Sequence, residues 1–218
     1  MKSACNIVKT LDGRVGLMSF EGQTSEQWLA SARSLRQKGQ NKKSIEAYQK
    51  ALKADPSSVV AMNEMGLVHV HVGEQNEAIR AFEKAISLAP NDAEGYANKA
   101  EAYLTVGSFD DALKTAEEGL KHAPTNATLW ARKARALESL LRIQDAVDCY
   151  NEALKYNSAD PGIWKALALC LDAQEKWTEV ARAYRIAANL HKKRGELQDA
   201  ESCFKFAQMA EDSSESMA

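Results

Sequence analysis

His69 and His71 are the only closely spaced imidazoles in the chain, and paired imidazoles are a common start of a zinc site. Two residues apart on a helix, they point about 200° from one another and cannot close on one ion as a pair four apart would. His122 and His191 stand alone near expected helix ends, where a cation suits the helix dipole. The four cysteines, Cys5, Cys149, Cys170 and Cys203, are separated by 144, 21 and 33 residues. That spacing makes neither a CxxC pair nor a dense disulfide frame, so reduced thiols are expected. Nothing basic is organised around Cys149 or Cys203 to generate a reactive thiolate. GxSxG and phosphate-loop patterns are missing from the sequence. The expectation is a noncatalytic protein with no metal site and no cofactor.

Bulk charge narrows the partners. Twenty-eight basic and 30 acidic residues leave a net charge of −2, so no excess field draws nucleic acid or anionic lipid. Lys42-Lys43 and His191-Lys192-Lys193-Arg194 are the strongest basic runs. They lack interleaved aromatics and read as solvated turns. No stretch reaches the roughly eighteen apolar residues of a membrane span, and the N-terminus has a charge without an apolar signal core. No nucleic-acid partner, no direct membrane insertion and a cytoplasmic location are therefore expected.

The elements that must position any site emerge from four prolines, Pro56, Pro90, Pro124 and Pro161, at separations of 34, 34 and 37. A 34-residue register starting at Ser25 gives five ungapped units, 25–58, 59–92, 93–126, 127–160 and 161–194. Position 4 is always large and apolar (Trp28, Met62, Tyr96, Trp130, Trp164) and position 8 always small (Ala32, Gly66, Ala100, Ala134, Ala168). Position 20 reads Ser44, Ala78, Ala112, Ala146 and Val180, and position 27 reads Ala51, Ala85, Gly119, Ala153 and Ala187. Position 24 is aromatic in Tyr48, Phe82, Tyr150 and Tyr184, with Ala116 in the third unit. Large residues facing small ones at helical spacing let two helices approach closely. Gly39, Gly73 and Gly107 stand near position 15, where a positive φ can end the first helix. Thr24 with Gln27, Asn91 with Glu94, and Asp160 before Pro161 supply helix-start signals.

These columns resemble the tetratricopeptide repeat, as "NEAIRAFEKAISLAPND" and "KSIEAYQKALKADPSS" in phase illustrate. The resemblance implies an all-α, right-handed α-solenoid of five helix pairs, with the first helix of each pair on the concave wall. A C-terminal capping helix over 195–211, with Leu197, Ala200, Phe204 and Ala207 facing inward, is expected to close the end. The tail 212–218 is expected to be disordered. Residues 1–24 break the pattern, and Asp12-Gly13 between β-rich flanks leaves a flexible leader, a hairpin or a groove-filling segment open. Trp177 is expected to pack between repeats.

The same resemblance places positions 2, 5, 6, 9, 12 and 13 of each first helix on the concave wall. The peptide-binding candidates are Asn63, Leu67, Val70 and His71, then Asn98, Glu101 and Leu104, then Arg132, Arg135 and Glu138, then Lys165 and Asp172. Arg33, Glu64 and Leu169 belong to the same columns. Leu67, Val70 and Leu104 are expected to form an apolar floor. Such a wall suits an extended or helical segment of a protein partner. The implied function is a scaffold or adaptor for protein–protein interaction. Self-association into a structural scaffold, with Phe206 as the exposed feature, is a second possibility. A co-chaperone clamp for a chaperone's C-terminal carboxylate is a third. Only Asn98 and Arg132 of its five places match across units two to four.

Overall fold

The computed structural model describes the backbone of residues 7–9 and 15–17 and the whole of residues 23–216. The chain divides into two compact units, Met1–Ala102 and Tyr103–Ala218. In the first unit, β1 (Ile7–Lys9) pairs antiparallel with β2 (Val15–Leu17), with Ile7 opposite Leu17. The Asp12-Gly13 turn lies outside the described residues. Helices α1 (Ser25–Gln37), α2 (Asn41–Ala54), α3 (Val59–His71) and α4 (Gln75–Leu88) follow, and α5 (Ala93–Val106) runs past the unit boundary. The second unit holds α6 (Phe109–His122), α7 (Ala127–Ser139), α8 (Ile143–Tyr156), α9 (Pro161–Asp172), α10 (Trp177–Lys193) and α11 (Leu197–Ser216). The all-α class stands.

First helices begin at Ser25, Val59, Ala93, Ala127 and Pro161, and second helices at Asn41, Gln75, Phe109, Ile143 and Trp177. One capping column starts every first helix. Thr24 forms a full capping box with Gln27, Ser58 accepts from the Ala61 N–H, and Asn126 from that of Leu129. Asp160 accepts from the Gly162 N–H, with Pro161 in the first turn. Before α5 it is Asp92 that accepts from the Glu94 N–H, at 3.1 Å. Each such cap contributes about 1 kcal/mol by occupying an orphan donor. Trp130 and Trp164 donate their indole N–H to the carbonyls of Pro124 and Ser158, six residues back. The serine that replaces the recurring proline in the fourth unit therefore supplies the same acceptor.

The columns of large and small residues are the core. Tyr48, Phe82 and Tyr150 are wholly or almost wholly buried, and Ala32, Ala100, Ala134 and Ala168 are at 0% exposure. A methyl group on Gly66 would meet the Phe82 ring at 2.5 Å, which is why glycine stands there. Ala116 is itself fully buried in α6, beside buried Thr115, Gly119 and Leu120. Position 15 takes a positive φ throughout: Gly39, Gly73 and Gly107 at 70°, 84° and 80°, but also Leu141 at 60° and Glu175 at 57°. His69 and His191 each hold the carboxylate five residues on, Glu74 at 2.7 Å and Glu196 at 2.6 Å, across a left-handed glycine.

The capping helix departs from expectation twice. Its buried stripe is Ala200, Cys203, Ala207 and Ala210, while Leu197 and Phe204 are 67% and 41% exposed. Against α10, small side chains allow close approach where leucine and phenylalanine would hold the helices apart. The helix also runs through Ser216, past the expected end at Glu211. Glu211 pairs with Arg185 at 2.7 Å, Gln208 bonds Asp212, and Ser213 donates to the Met209 carbonyl.

Candidate functional site

The first-helix faces are described unit by unit. In the first unit, Arg33 on α1 reaches Glu64 on α3 through Nε and Nη2 at 2.8 to 3.0 Å. The Tyr48 hydroxyl on α2 donates to the same carboxylate at 3.1 Å. Burial first, and the Glu64 charge second, push the Tyr48 phenol up to about 12. Glu64 thus ties three helices and neutralises Arg33, which leaves that cation a poor carboxylate receptor. Leu67 and His71 are exposed, and Glu101 is half-buried.

Two of the expected wall residues are buried, and a third is half-buried. Asn63 is 3% exposed, and its buried Oδ1, 3.8 Å from where a Gly95 Cβ would sit, has no hydrogen-bond partner. A side chain closed off by the neighbouring helix in this way is packing, not surface. Leu104, in the second unit, is 9% exposed and belongs to the core cluster of Ala112 and Ala136. Val70 is half-buried against Ala78, Phe82 and Ala102. Of the apolar floor expected from Leu67, Val70 and Leu104, Leu104 is buried, Val70 is half-buried and Leu67 is exposed. Asn98 is half-buried, with a buried Nδ2 that lacks a partner.

In the second unit, Arg132, Arg135, Glu138 and Lys165 are half-buried. Glu138 accepts a 2.9 Å hydrogen bond from the Tyr150 hydroxyl on α8. Burial and then Glu138 raise the Tyr150 phenol well above its ordinary range, with Arg135 acting in the opposite direction. Asp172, one repeat on, is exposed and lines a groove of about 350 Å³ between α9, α10 and α11. Leu169, Trp177, Val180, Tyr184, Phe206, Met209, Ala210 and Ser213 complete its walls. Trp177 is thus a half-buried groove wall, not only a packing residue. Phe206 is 49% exposed and stacks on Tyr184 with ring centroids 5.3 Å apart. The aromatic column was legible; that α11 would lay Phe206 and Met209 beside it was not, because the large residues of α11 point away from its inward stripe.

Chemistry elsewhere is thin among the described residues. Cys149, Cys170 and Cys203 are free and buried, and burial pushes all three thiols up, Cys170 to about 12. Raised thiols are poor nucleophiles. His191, Glu196 and Asp199 bring ligand atoms within 4.8 Å of one another, a grouping the sequence spacing did not suggest. Its His191–Glu196 contact repeats the His69–Glu74 turn bond. No helix among the described residues is long and apolar enough to cross a membrane.

Comparison with known proteins agrees with this geometry. A tetratricopeptide repeat family model matches residues 69–136 and 103–170, and a second TPR repeat model matches residues 32–73. No curated protein sequence matches. Among solved structures, the chain is similar to TTC0263, a thermophilic TPR protein of Thermus thermophilus, with TM-score 0.70 and 18% identity over 85% of this chain and 100% of that one. It is also similar to MamA from Desulfovibrio magneticus RS-1, with TM-score 0.62 and 15% identity over 83% and 97%. PilF of Pseudomonas aeruginosa gives TM-score 0.65 and 16% identity over 82% and 88%. At such identities the likeness is one of fold. The family matches together span residues 32–170, where caps, notches and left-handed turns recur in register, and the chain belongs to the tetratricopeptide repeat family.

Proposed function

We propose that the chain is a noncatalytic module of five repeats, 25–58 to 161–194, that holds a segment of a protein partner along its first-helix faces as a scaffold or adaptor. Membership of the family supports the coarser part, a protein-interaction or scaffold role. The observation that carries the finer part is the exposure of Leu67 and Leu169, at 37% and 55%. Both occupy position 9 of their repeats, the column that elsewhere holds Arg33, Glu101 and Arg135. Apolar anchors set among charged neighbours suit a segment with alternating apolar and polar side chains.

Affinity capture with the wild-type chain and with Leu67→Glu plus Leu169→Glu tests the reading. Both side chains are exposed, and the fold of the variant is checked by circular dichroism. It should lose its partner by at least about tenfold, from removal of about 1.5 kcal/mol or more of apolar burial. A partner held equally by both proteins contradicts the first-helix site. A second reading, self-association, draws on Leu197, Phe204, Phe206 and Met209, all exposed on α11. Capture of the chain itself, and of nothing else, would favour it.

A further inference from the structure

The fourth and fifth repeats carry the same device with one decisive change. In the fourth, Glu138 at position 12 takes the hydrogen bond of the Tyr150 phenol, and Arg135 at position 9 stands close enough to Tyr150 to oppose the carboxylate's field. In the fifth, position 12 is Asp172, one methylene shorter, and position 9 is Leu169. Asp172 makes no hydrogen bond with Tyr184 and acts on its phenol only through its charge. Among the described residues no cation pairs with Asp172, and none of the residues lining its groove is Lys, Arg or His. The fifth repeat has kept the aromatic and the carboxylate and lost the arginine.

What replaces the arginine is a cavity with aromatic walls. Trp177, Tyr184 and the half-exposed Phe206 line it together with Asp172, Leu169 and Met209, around about 350 Å³. A groove at the low end of the usual range for ligand sites, roughly 300–1,000 Å³, suits one large side chain better than a cofactor. Ring faces attract a cation, and a planar guanidinium can stack on a ring while its N–H groups bind a carboxylate. The aliphatic stem of such a side chain would lie on Leu169 and Met209. A leucine in the same place would leave Asp172 desolvated and unpaired.

We infer that the groove of α9, α10 and α11 binds an arginine side chain of the partner segment, with Asp172 as its counter-ion and the Trp177, Tyr184 and Phe206 rings as its wall. This deepens the peptide-binding reading and rests on it. The test uses the full chain and four capped tripeptides, Gly-X-Gly with X as arginine, lysine, citrulline or leucine, followed by NMR signals of the Trp177 indole and Met209 methyl. The arginine peptide should shift both signals saturably in the millimolar range, with citrulline about tenfold weaker and lysine weaker by a smaller factor. Asp172→Asn, an exposed substitution that leaves the fold intact, should reduce arginine binding to the citrulline level. Equal response to citrulline or leucine, equal affinity for lysine, unchanged binding by Asp172→Asn, or no saturable shift would each overturn the arginine assignment. Since no cellular partner enters this titration, its failure leaves the outcome at Leu67 and Leu169 standing, and the two inferences fail separately.

Discussion

Tyr48 shows how a single residue joins packing to charge. Its ring fills a notch between helices at 0% exposure while its hydroxyl is bonded to Glu64, which Arg33 also holds. Its phenol ordinarily titrates near 10 and is raised to about 12, by burial before the carboxylate. The folded chain therefore binds that proton more tightly than the unfolded chain. The contribution is complete below pH 10 and is lost as pH rises from 10 through 12. Urea unfolding across that window should show stability falling, and Tyr48→Phe should make the fall shallower. An identical alkaline limb in the variant would disprove the assignment. Column position was a poorer guide to exposure: Asn63 stands at a position that the resemblance puts on the concave wall, yet the close approach of α5 at Gly95 encloses it. Leu104 reads as a groove floor, yet it meets Ala112 and Ala136.

At the scale of the element, the turns between paired helices need a left-handed residue at position 15, and two repeats meet that need without glycine. Leu141 at φ 60° and Glu175 at φ 57° accept a conformation that costs an L-residue about 1–2 kcal/mol. Glycine would remove that strain while costing about 0.5–1 kcal/mol in unfolded-state entropy. Leu141→Gly and Glu175→Gly should each raise the urea midpoint, by a net stabilisation of about 0.5–1 kcal/mol. Gly107→Ala should lower it, because its backbone already sits at φ 80°. Equal midpoints for all three would contradict the strain account. Helix starts and caps were legible in the sequence because each depends on a few local residues. The end of α11 was not. Its serines look disordered by composition, but Ser213 and Ser216 return their hydroxyls to the carbonyls of Met209 and Ser213, and Thr178 meets Ser214 across from α10.

For the whole molecule, periodicity made the fold readable and the site only partly so. Packing repeats every 34 residues, so a column of small residues names a notch wherever it recurs. On the proposed reading, binding rests on departures from the repeat, such as Leu67 and Leu169 in a charged column, and a departure has no column to reveal it. The groove at α11 needed the helix's rotation about its own axis, which Cys203 and three alanines set more firmly than Leu197 or Phe204. The central claim is that partners lie on the first-helix faces. Photocrosslinking from p-benzoylphenylalanine placed at Leu67, at Leu169 or at Leu88 of α4, whose exposure lies between theirs, tests it most directly. Partner adducts from positions 67 and 169, with none from 88, are the predicted result. Adducts from 88 alone, or equally from all three, would contradict it.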